Sequence, residues 1–273
     1  MYNPIRSTLE REFKIPAETP KPLLNLALGE PTKANGYPLP EEMKQAIIEV
    51  IESEKCNGYT KSTGAVEARQ AVVDKFSTPE NPFTADDVFL TAGCSGALIA
   101  ALHTLCEEGD NILLPRPGFP LATCICQNIN VQYRFYDLLP EKDWEVDLAS
   151  MEKLIDERTS CIVVNNPSNP CGSVYSKKHL EEIVALSDKH RVPLLADEVY
   201  HGLAYDASAE FTSLAHVAPN TPMIRTGAIS KIYCVPGWRL GWVIVHNKHG
   251  YFDDLIVNIN KMSMVALHPN SLV

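Results

Sequence analysis

Seven short apolar runs recur along the chain: Val88–Thr91, Asn111–Leu114, Val131–Tyr136, Cys161–Asn165, Val192–Ala196, Met223–Thr226 and Trp242–His246. Helix-like stretches at Ser95–Leu105, Leu148–Asp156 and Lys177–His190 lie between them. Strands that are apolar throughout, rather than on every second residue, must be covered on both faces, and intervening helices supply that cover. The pattern predicts an α/β fold with a mostly parallel sheet and helices on both faces. Two further helices are expected ahead of the sheet. One is Glu41–Ser53, where Met43, Ile47, Ile48 and Ile51 recur at helical spacing, and the other is Ala65–Phe76. Residues 1–40, with turn signals at Gly29-Glu30-Pro31 and Asn35-Gly36-Tyr37-Pro38, read as an irregular arm. Residues 41–250 read as the sheet domain, and residues 251–273 as the start of a long helix (Tyr251–Met264). Past that helix only nine residues remain, with no capping pattern, so a chain cut short of a further C-terminal domain is expected.

Composition narrows the functional classes. With 45% hydrophobic and 21% charged residues in 273, the chain is neither disordered nor fibrous. Twenty-four Lys and Arg against 34 Asp and Glu give a net charge of −10 with no basic stripe, which argues against nucleic acid or an anionic membrane as partner. The uncharged run Val88–Cys106 contains Thr91, Ser95, His103 and Thr104 and reads as strand plus helix, not as a membrane span. Eight Cys form no CxxC pair, and the lone Cys124-x-Cys126 has no His at zinc-finger spacing. No metal site or disulfide framework is therefore expected. Reduced thiols and the absence of an apolar h-region near Arg6, Glu10 and Arg11 suit a cytoplasmic chain, with a mitochondrial location left open.

In a doubly wound sheet, ligands bind beyond the carboxyl ends of the strands. Polar residues follow four of the apolar runs: Gly93-Cys94-Ser95-Gly96, Asn165–Gly172, Asp197 with Tyr200, and Ser230-Lys231. Each has an ordinary structural reading. A Gly-Cys-Ser-Gly turn is a common strand-to-helix connection, Asn-Pro repeats make turns, and an acid at a strand end often caps the next helix. Lys231 is flanked by Ile229, Ile232 and Tyr233, and desolvation favours the neutral, nucleophilic amine. Jointly the four match pyridoxal 5′-phosphate. That cofactor needs an amine, an acid facing its pyridine nitrogen, donors for its phenolic oxygen and an anion cup for its phosphate. Lys231, Asp197, Asn169 with Tyr200, and the helix start at Cys94-Ser95 supply these, and Arg239 adds a guanidinium for the phosphate.

Four segments, Leu114–Leu121 (LPRPGFPL), Leu138–Leu148 (LLPEKDWEVDL), Asn165–Val174 (NNPSNPCGSV) and Val235–Trp242 (VPGWRLGW), carry a resemblance. With the order of Asn169, Asp197, Tyr200, Lys231 and Arg239, they resemble the fold-type I, class I/II pyridoxal-phosphate aminotransferases, in particular their tyrosine-type subgroup. The resemblance implies that Lys231 forms the Schiff base and shuttles the substrate proton. It implies that Asp197 pairs with the pyridine nitrogen, and that Asn169 and Tyr200 hold the phenolic oxygen. Phe119 would stack on the ring, and Gly93, Cys94, Ser95 and Arg239 would bind phosphate. Tyr59 would reach the phosphate of a neighbouring subunit in a homodimer, and Gly29 and Asn169 would touch substrate. The implied reaction is ping-pong transamination of an aromatic L-amino acid, tyrosine first, with a 2-oxo acid such as 2-oxoglutarate or pyruvate.

Two departures accompany it. Ala228 stands where many relatives carry a phosphate-binding Ser, and no residue matches the family's carboxylate-binding arginine. Carbon–sulfur β-lyases, aminocyclopropane-carboxylate synthases and alanine-type aminotransferases share the same residue set. A serine hydrolase built on Ser95, Asp197 and His201 or His216 is a more distant alternative, and a truncated chain that binds cofactor without turnover is another.

Overall fold

The computed structural model describes residues 37–206, 210–265 and 269–273, together with residues 7, 8, 20, 21, 29 and 32. Most of the arm expected over residues 1–40 lies outside the described residues. Helices α1 (Glu41–Ser53) and α2 (Val66–Phe76) form where the apolar spacing places them. There follow β1 (Val88–Ala92), α3 (Gly93–Leu105), β2 (Asn111–Arg116), α4 (Leu121–Asn128), β3 (Gln132–Leu139), β4 (Glu145–Val146), α5 (Leu148–Lys153) and β5 (Thr159–Asn165). Then come α6 (Lys177–His190), β6 (Leu194–Asp197), α7 (Leu214–Val217), β7 (Met223–Ala228), α8 (Ile229–Ile232), β8 (Leu240–His246) and α9 (Asp253–Val265).

The eight strands form one sheet in the order β1-β8-β7-β6-β5-β2-β3-β4. Neighbours from β7 to β3 pair in parallel, whereas β8 runs antiparallel to both β7 and β1, and β4 antiparallel to β3. The sheet is therefore mixed, with one reversed strand inside it. After β4 the chain returns to the other side of β2 to start β5, which makes the β2/β5 boundary the topological switch point where such folds place ligands.

Strand alternation divides the core. Ile112, Leu114, Cys161, Val163, Leu195 and Ile224 pack against Ala97, Leu98, Ala101 and Leu102 of α3 and against Phe252, Leu255 and Ile259 at α9. The intervening residues Leu113, Ile162, Val164, Leu194, Ala196 and Met223 face Leu180, Ile183 and Val184 of α6. A third cluster seats Val72 and Phe76 of α2 on Val88, Leu90, Trp242 and Ile244. Helix α6 starts at Ser176, whose side chain accepts from the His179 N–H at 3.2 Å.

Two boundaries differ from expectation for local reasons. Pro193 precedes β6, so pairing there starts at Leu194, and the Val192 N–H instead donates to the Ser187 carbonyl at 3.1 Å. Helix α5 stops at Lys153 rather than at Asp156, whose carboxylate accepts from Asn111 Nδ2 at 2.8 Å.

Candidate active site

Because β8 is antiparallel to both of its neighbours, β1 and β7 run the same way. The carboxyl ends of β1, β5, β6 and β7 therefore share one edge, which brings the four polar groups together. Across that edge Asn165, Asp197 and Thr226 stand in register on adjacent strands. Residue 197 shares the face of Leu195, which α3 covers, so the first turn of α3 sits over the Asp197 carboxyl.

Asp197 is buried, and only donors hold it: the Val199 N–H at 3.3 Å and the Cys94 thiol at 3.5 Å, both on Oδ1. No cation among the described residues pairs with it. Burial pushes its carboxyl up to about 6, with the Val199 and Cys94 bonds pulling the other way and Glu198 adding repulsion. A buried carboxylate lacking a counter-charge suits a ligand that brings a protonated nitrogen.

The residues expected to cup an anion also lie together. Helix α3 opens at Gly93 with no capping side chain and no acidic residue in its first turn, so its leading N–H groups remain free for an anion. Gly93 has φ +72°, and an added Cβ would collide with the Arg239 guanidinium, which lies over the turn. Arg239 is held there by Nη1 on the Pro236 carbonyl at 2.8 Å and Nη2 on the Ala92 carbonyl at 3.0 Å. Ser95 is exposed in the same turn. The Cys94 side chain does not face the cup. It turns to the sheet, 3.5 Å from Asp197 Oδ1 and 3.6 Å from Thr226 Oγ1, and only its backbone N–H remains on the anion side.

The remaining candidates fall around these two groups. The Asn169 Nδ2 donates to the Tyr200 hydroxyl at 3.3 Å, and Asn165 Oδ1 accepts from the Asn169 N–H at 2.7 Å, tying β5 to the loop after β6. Burial raises the Tyr200 hydroxyl's pKa, and the charges of Asp197 and Cys94 add to this. Phe119 is 43% exposed and lines a cavity of about 300 Å³ with Asn165, Asp197, Leu98 and Leu114, at the β2/β5 switch point. Lys231, in α8, is half-buried rather than sealed among its apolar neighbours, and its Nζ donates to the Gly29 carbonyl at 2.9 Å. That contact brings the expected substrate strip to the amine. Tyr59 is 96% exposed, and Ala228 is fully buried.

Sequence reasoning missed a buried group behind this edge. The Glu198 carboxylate accepts from Arg225 Nε at 2.7 Å, Ser213 Oγ at 2.8 and 2.9 Å and the Leu214 N–H at 2.8 Å. His201 Nδ1 lies 3.5 Å from the same carboxylate and 3.2 Å from Arg225 Nη2. The signal was Arg225 itself, a charge in the middle of the apolar run Met223–Thr226, which demands a buried partner. No described histidine hydrogen-bonds Ser95, so the structure gives its hydroxyl no general base. No described cluster of three or more His, Cys, Asp or Glu could hold a metal, and no described helix is long and apolar enough to cross a membrane.

The family model "Aminotransferase class I and II" matches residues 21–272. The chain belongs to that family. Tyrosine aminotransferases from Mus musculus and Homo sapiens are each 40% identical over 273 residues, which is 100% of this chain and 60% of theirs. Among solved structures, the tyrosine aminotransferase from Leishmania infantum superposes with a TM-score of 0.85 at 33% identity, covering 90% of this chain and 68% of that one. The alanine aminotransferase from Pyrococcus furiosus gives 0.87 at 31% identity, covering 98% and 66%. The chain thus spans about 60% of the length of its mammalian relatives. Its mostly parallel, helix-covered sheet is the aminotransferase fold of these neighbours.

Proposed function

We propose that this aminotransferase uses pyridoxal 5′-phosphate to transaminate an aromatic L-amino acid, tyrosine first, with a 2-oxo acid such as 2-oxoglutarate or pyruvate as acceptor, in a ping-pong cycle. The observation that carries the reading is Asp197, a buried carboxylate without a cationic partner among the described residues, set beside an uncapped helix start and an arginine-lined turn. The amino-acid class rests on the 40% identity to tyrosine aminotransferases.

When bound, the cofactor supplies an electrophilic carbonyl carbon and an electron sink for the negative charge left at the substrate Cα. Lys231 Nζ is the amine for that carbon and the base that moves the Cα proton, and the Gly29 carbonyl orients it. Asp197 keeps the ring nitrogen protonated by placing a negative charge in a low-dielectric site, where the interaction is strong. The Asn169–Tyr200 pair offers donors to the phenolic oxygen, and the α3 N-terminus with Arg239 neutralises the phosphate. Phe119, which lines the 300 Å³ cavity, would offer an aromatic face to the cofactor ring and help exclude water.

Tyr59, nearly fully exposed, and α1, which has no buried residue and leaves Ile48 and Ile51 exposed, support a homodimer in which Tyr59 reaches the partner's phosphate site. Residues 1–40 are assigned to an arm, 41–250 to the cofactor-binding domain and 251–273, which contain α9, to the segment leading toward a second domain.

The test is the absorption spectrum of the purified chain with pyridoxal phosphate, before and after L-tyrosine. A new near-ultraviolet or visible band that tyrosine converts supports both cofactor and substrate class. A band indifferent to amino acids means cofactor binding without a half-reaction. A folded chain that develops no band contradicts the proposal.

A further inference from the structure

We infer that Cys94 is a positioning residue for Asp197, its thiol donating to Oδ1 so that Oδ2 is the oxygen presented to the ligand. The inference rests on the pyridoxal-phosphate reading for the identity of that ligand, but the contact itself does not depend on it.

Three observations lead there. First, α3 starts at Gly93 in the left-handed region, where a side chain would be strained and would push against the Arg239 guanidinium, and this turn directs the next side chain inward to β6 and β7. Second, the proton inventory around the sulfur is closed. Thr226 Oγ1 donates to the Ala196 carbonyl at 3.4 Å, so toward Cys94 it is an acceptor, and an ionised Asp197 only accepts. With the Thr226 proton committed to Ala196, the proton left for the contacts among Cys94, Asp197 and Thr226 is the thiol's, and the carboxylate is the stronger acceptor for it. Burial and the Asp197 charge both raise the Cys94 pKa, so the thiol stays protonated and acts as a donor rather than as a nucleophile. Third, both donors to Asp197, the thiol and the Val199 N–H, meet the same oxygen, Oδ1, while Oδ2 has no donor among the described residues. Two bonds on one oxygen from different elements, α3 and the loop after β6, fix the rotation of the carboxyl group.

The experiment measures pyridoxal-phosphate dissociation constants by absorption or fluorescence titration for the full chain and its Cys94→Ala, Cys94→Ser and Asp197→Asn variants, with the Cys94→Ala/Asp197→Asn double variant closing a cycle. Ala and Ser both lose the volume of sulfur, but only Ser keeps a donor. Cys94→Ala is expected to weaken cofactor binding about tenfold and Cys94→Ser to stay within about threefold of the parent. Cys94→Ala should have little further effect once Asp197 is Asn. A cofactor-independent readout accompanies it. Iodoacetamide labelling of Cys94 at pH 8 should run at least about threefold faster in Asp197→Asn, because the repelling carboxylate charge is gone. Equal losses in the Ala and Ser variants, no loss in either, or unchanged labelling would each overturn the inference. Should the parent chain bind no pyridoxal phosphate, the cofactor reading fails and the labelling comparison still decides whether Cys94 acts on Asp197.

Discussion

Arg225 Nε meets Glu198 Oε2 at 2.7 Å in a setting where neither side chain is more than 3% exposed. The pair lies immediately behind the candidate site, since Glu198 follows Asp197 and its N–H donates to the Thr226 carbonyl at 3.0 Å. Two adjacent acids are therefore shifted in opposite directions. Burial works to raise both, but the Arg225 charge, His201 and the Leu214 N–H bring Glu198 down to about 2, whereas Asp197 sits at about 6. Glu198 remains charged across the working pH range, and that charge adds to the repulsion felt by Asp197.

Removing one member of a buried pair leaves an uncompensated charge, which costs about 3–5 kcal/mol. Arg225→Met is expected to lose stability in that range by urea denaturation, and the Arg225→Met/Glu198→Gln double variant to recover a substantial part. A loss under about 1 kcal/mol for the single variant would mean that Glu198 is not held by Arg225.

The Asp197 carboxyl has the reverse signature. Its folded pKa, about 6, lies above the ordinary 3.8, so the folded chain binds more protons than the unfolded chain between those values. Stability therefore falls as pH rises through that window, and the penalty of the buried charge is fully present above it. Without cofactor, Asp197→Asn should stabilise the chain at pH 8 by about 2–3 kcal/mol, since each tenfold difference in proton affinity between folded and unfolded chain is worth about 1.4 kcal/mol. Near pH 4 it should change little, while any transamination activity is lost. Denaturant melts at the two pH values check this, and destabilisation at pH 8 would contradict it.

Gly93→Ala tests the phosphate cup. The new Cβ strains a residue at φ +72° and collides with the Arg239 guanidinium, displacing the arginine from the Ala92 carbonyl. Backbone strain of this kind costs about 1–3 kcal/mol. Pyridoxal-phosphate affinity measured by titration should drop at least about tenfold, and free phosphate should compete less well. Unchanged affinity would place the phosphate elsewhere.

Much of the fold was legible because burial on both faces leaves uninterrupted apolar runs, and all seven of the runs reappear as strands. The direction of β8 was not legible. Leu240–His246 is buried along almost its whole length, and a doubly covered strand carries the same apolar signature whichever way it runs. Helix α4, Leu121–Asn128, was missed because its eight residues make little more than two turns, too few for a helical period to stand out. The two-residue strand β4 and the four-residue helices α7 and α8 are too short to show a period. In the site, Lys231, Asp197, Asn169, Tyr200 and Arg239 could be picked out because each follows a strand or turn. The direction of the Cys94 side chain could not, since it depends on the left-handed turn at Gly93 and on the Arg239 packed over it.

The central claim is that Lys231 holds the cofactor, and borohydride reduction of the chain mixed with pyridoxal phosphate, followed by peptide mass mapping, tests it most directly. A pyridoxyl group on the peptide containing Lys231, absent from Lys231→Ala, is the predicted result. Modification spread over other lysines, or persisting undiminished in Lys231→Ala, would contradict it.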